Sequence, residues 1–283
     1  MKSLISLGSL IDTSFEHYKK HLAAILGITL WLLVAALPSA FGILLARAGY
    51  DLDAFTFLSF GLNLLGGILT ALASLHITVA LILTLREQRQ GKTVDPRTFL
   101  KKAFSLDLSY LWATILKSVF VAISPLAPLA LSIALLAFAF TTQNSLLINV
   151  LAGIVFITLL VALGGAIKFS LSYAFVPYAT VLDGARGMES LRVSAALVRG
   201  RWWDTFWRSV LPKALYTLIF VIVLAIILWI TGMIAIAVSQ ESFLLAKLFA
   251  FINFSVSTLA NAFFIPLLLL NDYYLYENLR ETK

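Results

Sequence analysis

Apolar residues fall into long runs along this chain, and the charges are confined to the segments between them. Six stretches contain no Asp, Glu, Lys or Arg: 22–46, 55–85, 118–140, 145–167, 214–238 and 248–270. Each can cover the roughly 20 residues, at about 1.5 Å per residue, that a helix needs to cross the hydrocarbon core of a bilayer. None shows the short apolar–polar alternation of a membrane β-barrel strand. The pattern predicts an all-α polytopic membrane protein forming one membrane domain over 1–283. Its six transmembrane helices are expected at about 22–46, 55–85, 110–140, 145–167, 214–238 and 244–270. The first run is longer than the apolar core of a signal peptide and twenty residues precede it, so it reads as a span.

The polar positions give an orientation. Lys2, Lys19 and Lys20 precede the first span. Arg86, Arg89, Lys92, Arg97, Lys101 and Lys102 lie in the connection 86–109. Arg186, Arg192, Arg199, Arg201, Arg208 and Lys213 lie in the connection 183–213, and Arg280 and Lys283 end the chain. The alternate turns, near Gly49, Asn144 and Gln240, carry only Arg47. Cations concentrate on the cytoplasmic side of membrane proteins, which predicts cytoplasmic termini and a place in the cytoplasmic (inner) membrane.

Each pair of spans follows a cytoplasmic segment of mixed polarity: the first 21 residues, then "VDPRTFLKKAFSLDLSYLWATILKSV", then "GMESLRVSAALVRGRWWDTFWRSVLPKAL". Lys20, Lys117 and Lys213 stand where the apolar run begins. The expected unit is a cytoplasmic amphipathic interfacial helix followed by a helical hairpin, repeated three times. The constraints shared by all membrane hairpins produce a similar likeness, so both origins stand. In the third segment, a 100° step places Leu191, Ala195, Val198, Trp202 and Phe206 on one face, and Arg201, Asp204 and Arg208 on another. This predicts one surface helix, bent at Gly200, with Pro212 marking its turn into the fifth span.

Composition fits this picture. Of the 283 residues, 61% are hydrophobic and only 12% charged, against about 25% charged in soluble domains. The net charge of +7 sits at the ends of the apolar runs, which points to anionic lipid headgroups rather than nucleic acid. Arg199, Arg201, Trp202, Trp203, Trp207, Arg208 and Lys213 are the candidate headgroup-level residues, since indole rings have an apolar body and a polar N–H. The absence of cysteine excludes disulfides and thiolate chemistry.

Ionisable and polar groups at membrane depth are candidates for function. Here they are Lys117, Lys168, Lys247, His76, Asn253 and Asn261. The three lysines lie near span ends and can extend their ammonium groups to the interface. His76 and the asparagines suit hydrogen bonds between helices, and Asn253 or Asn261 could instead line a polar pathway. Gly66–Gly67 and Gly164–Gly165 suit close helix contact. His17 and His21 are four residues apart but lack a third ligand, so no metal and no cofactor is expected. No nucleophile–base pair or phosphate-cradling loop is present, so an enzyme is not expected.

The stretch "KFSLSYAFVPYATVLDGARGMESLRVSAALVRGRWWDTFWRSVL" resembles the multi-span membrane domain attached to some bacterial glycerophosphodiester phosphodiesterases, and its stand-alone relatives. Pro177, Asp183, Gly184, Glu189, Ser190, Leu191, Ser194, Leu197, Val198, Gly200, Trp202 and Trp203 carry the likeness, and the ending "LLLLNDYYLYENLR" extends it. In the fused relatives the chemistry resides in a separate soluble barrel, for which this chain has no room, so the resemblance implies no catalytic residues here. The expectation is a non-catalytic module that binds anionic membrane lipid or a membrane protein partner in envelope or lipid handling. The alternative is a transporter or facilitator of a small or lipidic substrate.

Overall fold

A computed structural model of the chain describes residues 4–46, 54–92, 94–239 and 242–283. Lys2, Arg47 and the turns expected near Gly49 and Gln240 lie outside the described residues. Ten helices and no strand are found among those described: α1 (Leu7–Lys20), α2 (Leu22–Thr29), α3 (Trp31–Leu45), α4 (Ala54–Arg89), α5 (Pro96–Thr141), α6 (Ser145–Ser172), α7 (Val176–Leu182), α8 (Met188–Val198), α9 (Trp202–Ser239) and α10 (Phe243–Glu281). Six helical stretches are long and apolar enough to cross a membrane: Leu22–Leu45, Ala54–Arg89, Pro96–Thr141, Ser145–Leu182, Trp202–Ala237 and Leu244–Glu281. The protein is an all-α polytopic membrane protein.

The helices extend well past the apolar runs. With 46 residues, α5 is about 69 Å long at 1.5 Å per residue, more than twice the thickness of a hydrocarbon core of about 30 Å. In the stretch 86–109, where a separate interfacial helix was expected, α4 continues to Arg89 and α5 runs unbroken from Pro96. α5 opens on Pro96, which suits a first helical position because its missing N–H would have no partner there. Asp95 secures that start, accepting from the Thr98 hydroxyl at 3.0 Å and the Arg97 N–H at 3.3 Å.

The stretch 183–213 also departs from expectation. The single surface helix is two helices, interrupted at Arg199–Arg201, where Gly200 adopts a left-handed φ of 82° that favours glycine. Pro212 marks no turn; α9 runs through it from Trp202 to Ser239. A proline removes one backbone donor from the ladder, and the rest of a 38-residue helix continues around that loss.

The chain forms two compact units. One comprises the residues up to Asp107 together with Trp207–Thr282, and the other Leu108–Phe206. In the first, α3 and α4 form a close hairpin. A Cβ at Gly66 would collide with Ser39, and one at Gly42 would lie 2.6 Å from Asn63 Nδ2. The core of this unit is Leu10 of α1, Ile25 and Ile28 of α2, Ile77–Leu85 of α4, and Leu270, Tyr273, Leu275, Tyr276 and Leu279 of α10. Leu10, Ser14 and His17 form the buried face of α1.

In the second unit, Val176 and Leu191 pack on Ala113, with Phe175 and Tyr178 also buried. Ser194 joins α8 to the α6–α7 corner: its Oγ accepts from the Phe175 N–H at 3.1 Å and donates to the Ser172 carbonyl at 2.8 Å. Ser190, Leu191, Ser194, Leu197 and Val198 are all buried here.

Four of the six apolar windows contribute little to either core. Within the chain only 11% of that window is buried for α5, 6% for the α6–α7 stretch, none for α9 and 6% for α10. Lipid tails are as apolar as leucine, so a spanning surface gains little from burial against protein. The windows of Leu22–Leu45 and Ala54–Arg89 are the exceptions, 39% and 44% buried, and they supply much of the first unit's core.

Candidate functional site

The basic, tryptophan-rich stretch occupies the start of α9. Trp202, Trp203 and Phe206 form an aromatic group with ring centroids 4.6–5.9 Å apart. Trp203 is 66% exposed, whereas Trp202 buries its indole N–H with no partner among the described residues. Arg199 is exposed in the break before the helix, followed by Arg201. One turn beyond Trp203, Trp207 is 48% exposed.

Two of the basic candidates hold the fold together. Arg208 Nε donates to the Ile5 carbonyl at 2.7 Å, while the Ile5 N–H donates to Asn278 Oδ1 at 2.9 Å, so the N-terminal segment is tied to α9 and α10. Lys213 pairs with Asp272 of α10 at 2.7 Å. Their partners lie far away in sequence, and only the packing of α9 and α10 in this unit brings them within reach.

The intramembrane candidates are dispersed. His76 Nδ1 lies 2.7 Å from Asp107 Oδ2 on α5, a link between helices. Lys247 Nζ donates at 2.9 Å to the Leu44 carbonyl in the last turn of α3, where a helix leaves carbonyls unmatched and its dipole favours a cation. Asn261 turns its amide back to Ser257 O on its own helix at 2.9 Å, whereas Asn253 buries an Oδ1 that has no partner among the described residues. Lys168 is exposed on α6 and Lys117 partly buried on α5.

Sequence reasoning missed a polar cluster where α1, α4 and α10 meet. His17 Nε2 is 2.9 Å from Gln88 Oε1 and its Nδ1 is 2.8 Å from the Tyr274 hydroxyl. An amide oxygen only accepts, so Nε2 carries the proton and Nδ1 accepts from the tyrosine. Burial holds the imidazole below its usual pKa despite the Gln88 hydrogen bond, and the nearby His21 and Lys20 add to the lowering. Both ring nitrogens are thus occupied, which leaves His17 no electron pair for a metal shared with His21. Among the described residues no group of three metal-ligating side chains occurs. Beside this cluster, Arg89 spans from α4 to Glu277 and Glu281 of α10, at 2.8 Å each. The available signals were the basic end of α4 and the acidic end of α10, which are complementary but separated by most of the chain.

A cavity of about 410 Å³ adjoins the cluster. Its walls include Lys20 and His21 at the end of α1, Ala23 and Ala24 in the first turn of α2, and Gln88 and Lys92 at the end of α4. The loop that delivers Lys92 is set by Gly91, whose φ is 75°. The Gly91 N–H bonds the Gln88 carbonyl at 3.0 Å and the Lys92 N–H bonds the Glu87 carbonyl at 3.2 Å. This paired closure at a left-handed residue is the Schellman ending of a helix. Comparison with known proteins finds no family model, no curated protein and no solved structure that matches this chain.

Proposed function

We propose that this protein is a non-catalytic, multi-pass membrane module that binds anionic lipid along α9, in the service of envelope or lipid handling. The observation that carries this reading is α9 itself. Trp203 is exposed in its first turn, and none of its most apolar window is buried within the chain. A helix with an exposed indole at one end and an unburied apolar body offers a lipid both a headgroup-level anchor and an acyl-chain surface. Arg199, Arg201 and Trp207 flank that anchor, and basic residues beside a span attract anionic headgroups. The positive-inside charge pattern supports cytoplasmic termini and the cytoplasmic membrane as the location. The resemblance to membrane domains attached to phosphodiesterases supports a role near lipid metabolism. A membrane protein partner is the other occupant this surface accommodates.

Native mass spectrometry of protein released gently from membranes tests the proposal, comparing wild type with a Trp203→Ala/Trp207→Ala variant. Retained anionic lipid that is lost in the variant supports the module reading. Lipid retained equally by both removes α9 as the binding surface. An adduct of non-lipid mass transfers the argument to the facilitator.

A further inference from the structure

We propose that the cavity between the α1–α2 joint and the end of α4 is a binding site for a phosphate-bearing anion. This goes beyond the lipid reading of α9, since neither Trp203 nor Trp207 contributes to it. Lys20 and Lys92 are among the residues that line it. His21, held below its ordinary pKa by burial and by Lys20, supplies a neutral ring with one N–H donor. Ala23 and Ala24 belong to the first turn of α2, which no side chain caps, and the first N–H groups of a helix favour anions.

The independent observation is Gln88. This residue lines the cavity and is only 5% exposed, yet its Nε2 has no partner among the described residues. Its Oε1 is committed to His17, so the amide is oriented and the NH₂ end remains unspent. A buried donor without an acceptor is costly, and an anion oxygen is the acceptor that suits it in a cavity lined by two lysines. Among the described residues Glu87 pairs with Lys92. That pair is weak, since Lys92 is 58% exposed, and an entering anion can take over the lysine. Planar carboxylates fill fewer donors than a tetrahedral oxyanion, and the donor-bearing residues that line the cavity come from three segments. A phosphodiester lipid headgroup and a free phosphate present the same chemistry.

The test uses the full chain in two settings. In detergent, inorganic phosphate is titrated calorimetrically in chloride buffer at constant ionic strength. In nanodiscs of phosphatidylcholine with and without phosphatidylglycerol, retained lipid is read by native mass spectrometry. Lys20→Gln and Gln88→Met are compared with Lys101→Gln, which removes the same charge from α5 away from the cavity. The expected result is saturable binding in at least one setting, weakened about tenfold by each cavity variant, the effect of one charge-assisted hydrogen bond, and unchanged in Lys101→Gln. Phosphate alone binding identifies a soluble ligand, and phosphatidylglycerol alone a lipid headgroup; either upholds the site. Binding in neither setting, or equal weakening in Lys101→Gln, overturns it. Lys20 is exposed, so its variant remains informative if Gln88→Met does not fold.

Discussion

Adjacent glycines on α4 provide a sharp test of how the α3–α4 hairpin is packed. Replacing Gly66 with alanine would put a methyl group against Ser39, 2.9 Å from its Cβ and closer still to its backbone nitrogen. Backbone cannot rotate aside as a side chain can. Carbon–carbon contacts are comfortable at about 3.5–4.0 Å, so the two helices must part by at least about half an ångström. The seam also carries the hydrogen bonds from Ser39 Oγ to Asn63 O at 3.3 Å and from Ser59 Oγ to Gly42 O at 2.7 Å. Overpacking costs about 1–3 kcal/mol and a strained hydrogen bond about 1 kcal/mol, against a helix-propensity gain of about 1 kcal/mol. Gly66→Ala should therefore destabilise the protein by about 1–3 kcal/mol. Gly67→Ala, with nothing within 4 Å of its new Cβ, keeps the propensity gain and should be neutral or stabilising by up to about 1 kcal/mol. Equilibrium unfolding by SDS in mixed micelles measures both. A Gly66→Ala protein as stable as wild type, or a Gly67→Ala protein equally weakened, would refute the close seam.

Three further outcomes are expected. Ser194→Ala leaves the Phe175 N–H and Ser172 carbonyl without their shared partner, which should cost about 1–3 kcal/mol in the same unfolding assay; an unchanged midpoint would show that Ser194 does not hold the corner. The lowered pKa of His17 means that the folded chain binds the proton less readily than the unfolded chain. Stability should be full above the unfolded value of about 6.5 and decline as pH falls below it, with His21 acting in the same sense; a His17→Gln variant whose melting temperature keeps the full pH dependence would assign the effect elsewhere. Lys247→Met removes the donor to Leu44 O, so amide hydrogen exchange should quicken in the last turn of α3 while α1 is unaffected, and equal exchange at both would contradict the capping role.

How much of this was legible in the sequence depends on the range of the physics involved. Six spans follow from the chain alone, because in hydrocarbon every backbone group must be satisfied within its own helix and the run of apolar residues that achieves this is local. Close contact at Gly66 was also readable, since small residues permit approach, but Gly67 carries the same letter and touches nothing. Hydropathy reports the solvent around a segment and not where its hydrogen-bond ladder stops. It therefore did not show that the helix expected before each span is continuous with it, as α5 is from Pro96 and α9 through Pro212. The break at Gly200 was marked by its residue type, while its extent depends on how α8 packs around Leu191 and Ser194.

The polar contacts were decided by tertiary structure. Arg208 and Lys213 read as headgroup ligands because their neighbours are tryptophans and apolar residues, yet the packing of α9 and α10 brings Ile5 and Asp272 to them. Nothing around His17 in the sequence pointed to its partners, Gln88 and Tyr274, 71 and 257 positions along the chain. The sequence by itself determined the solvent each segment requires, since that is a sum over neighbouring residues. Only the fold determined which polar groups meet, since a hydrogen bond needs a partner within about 3 Å and separation along the chain carries no information about that distance.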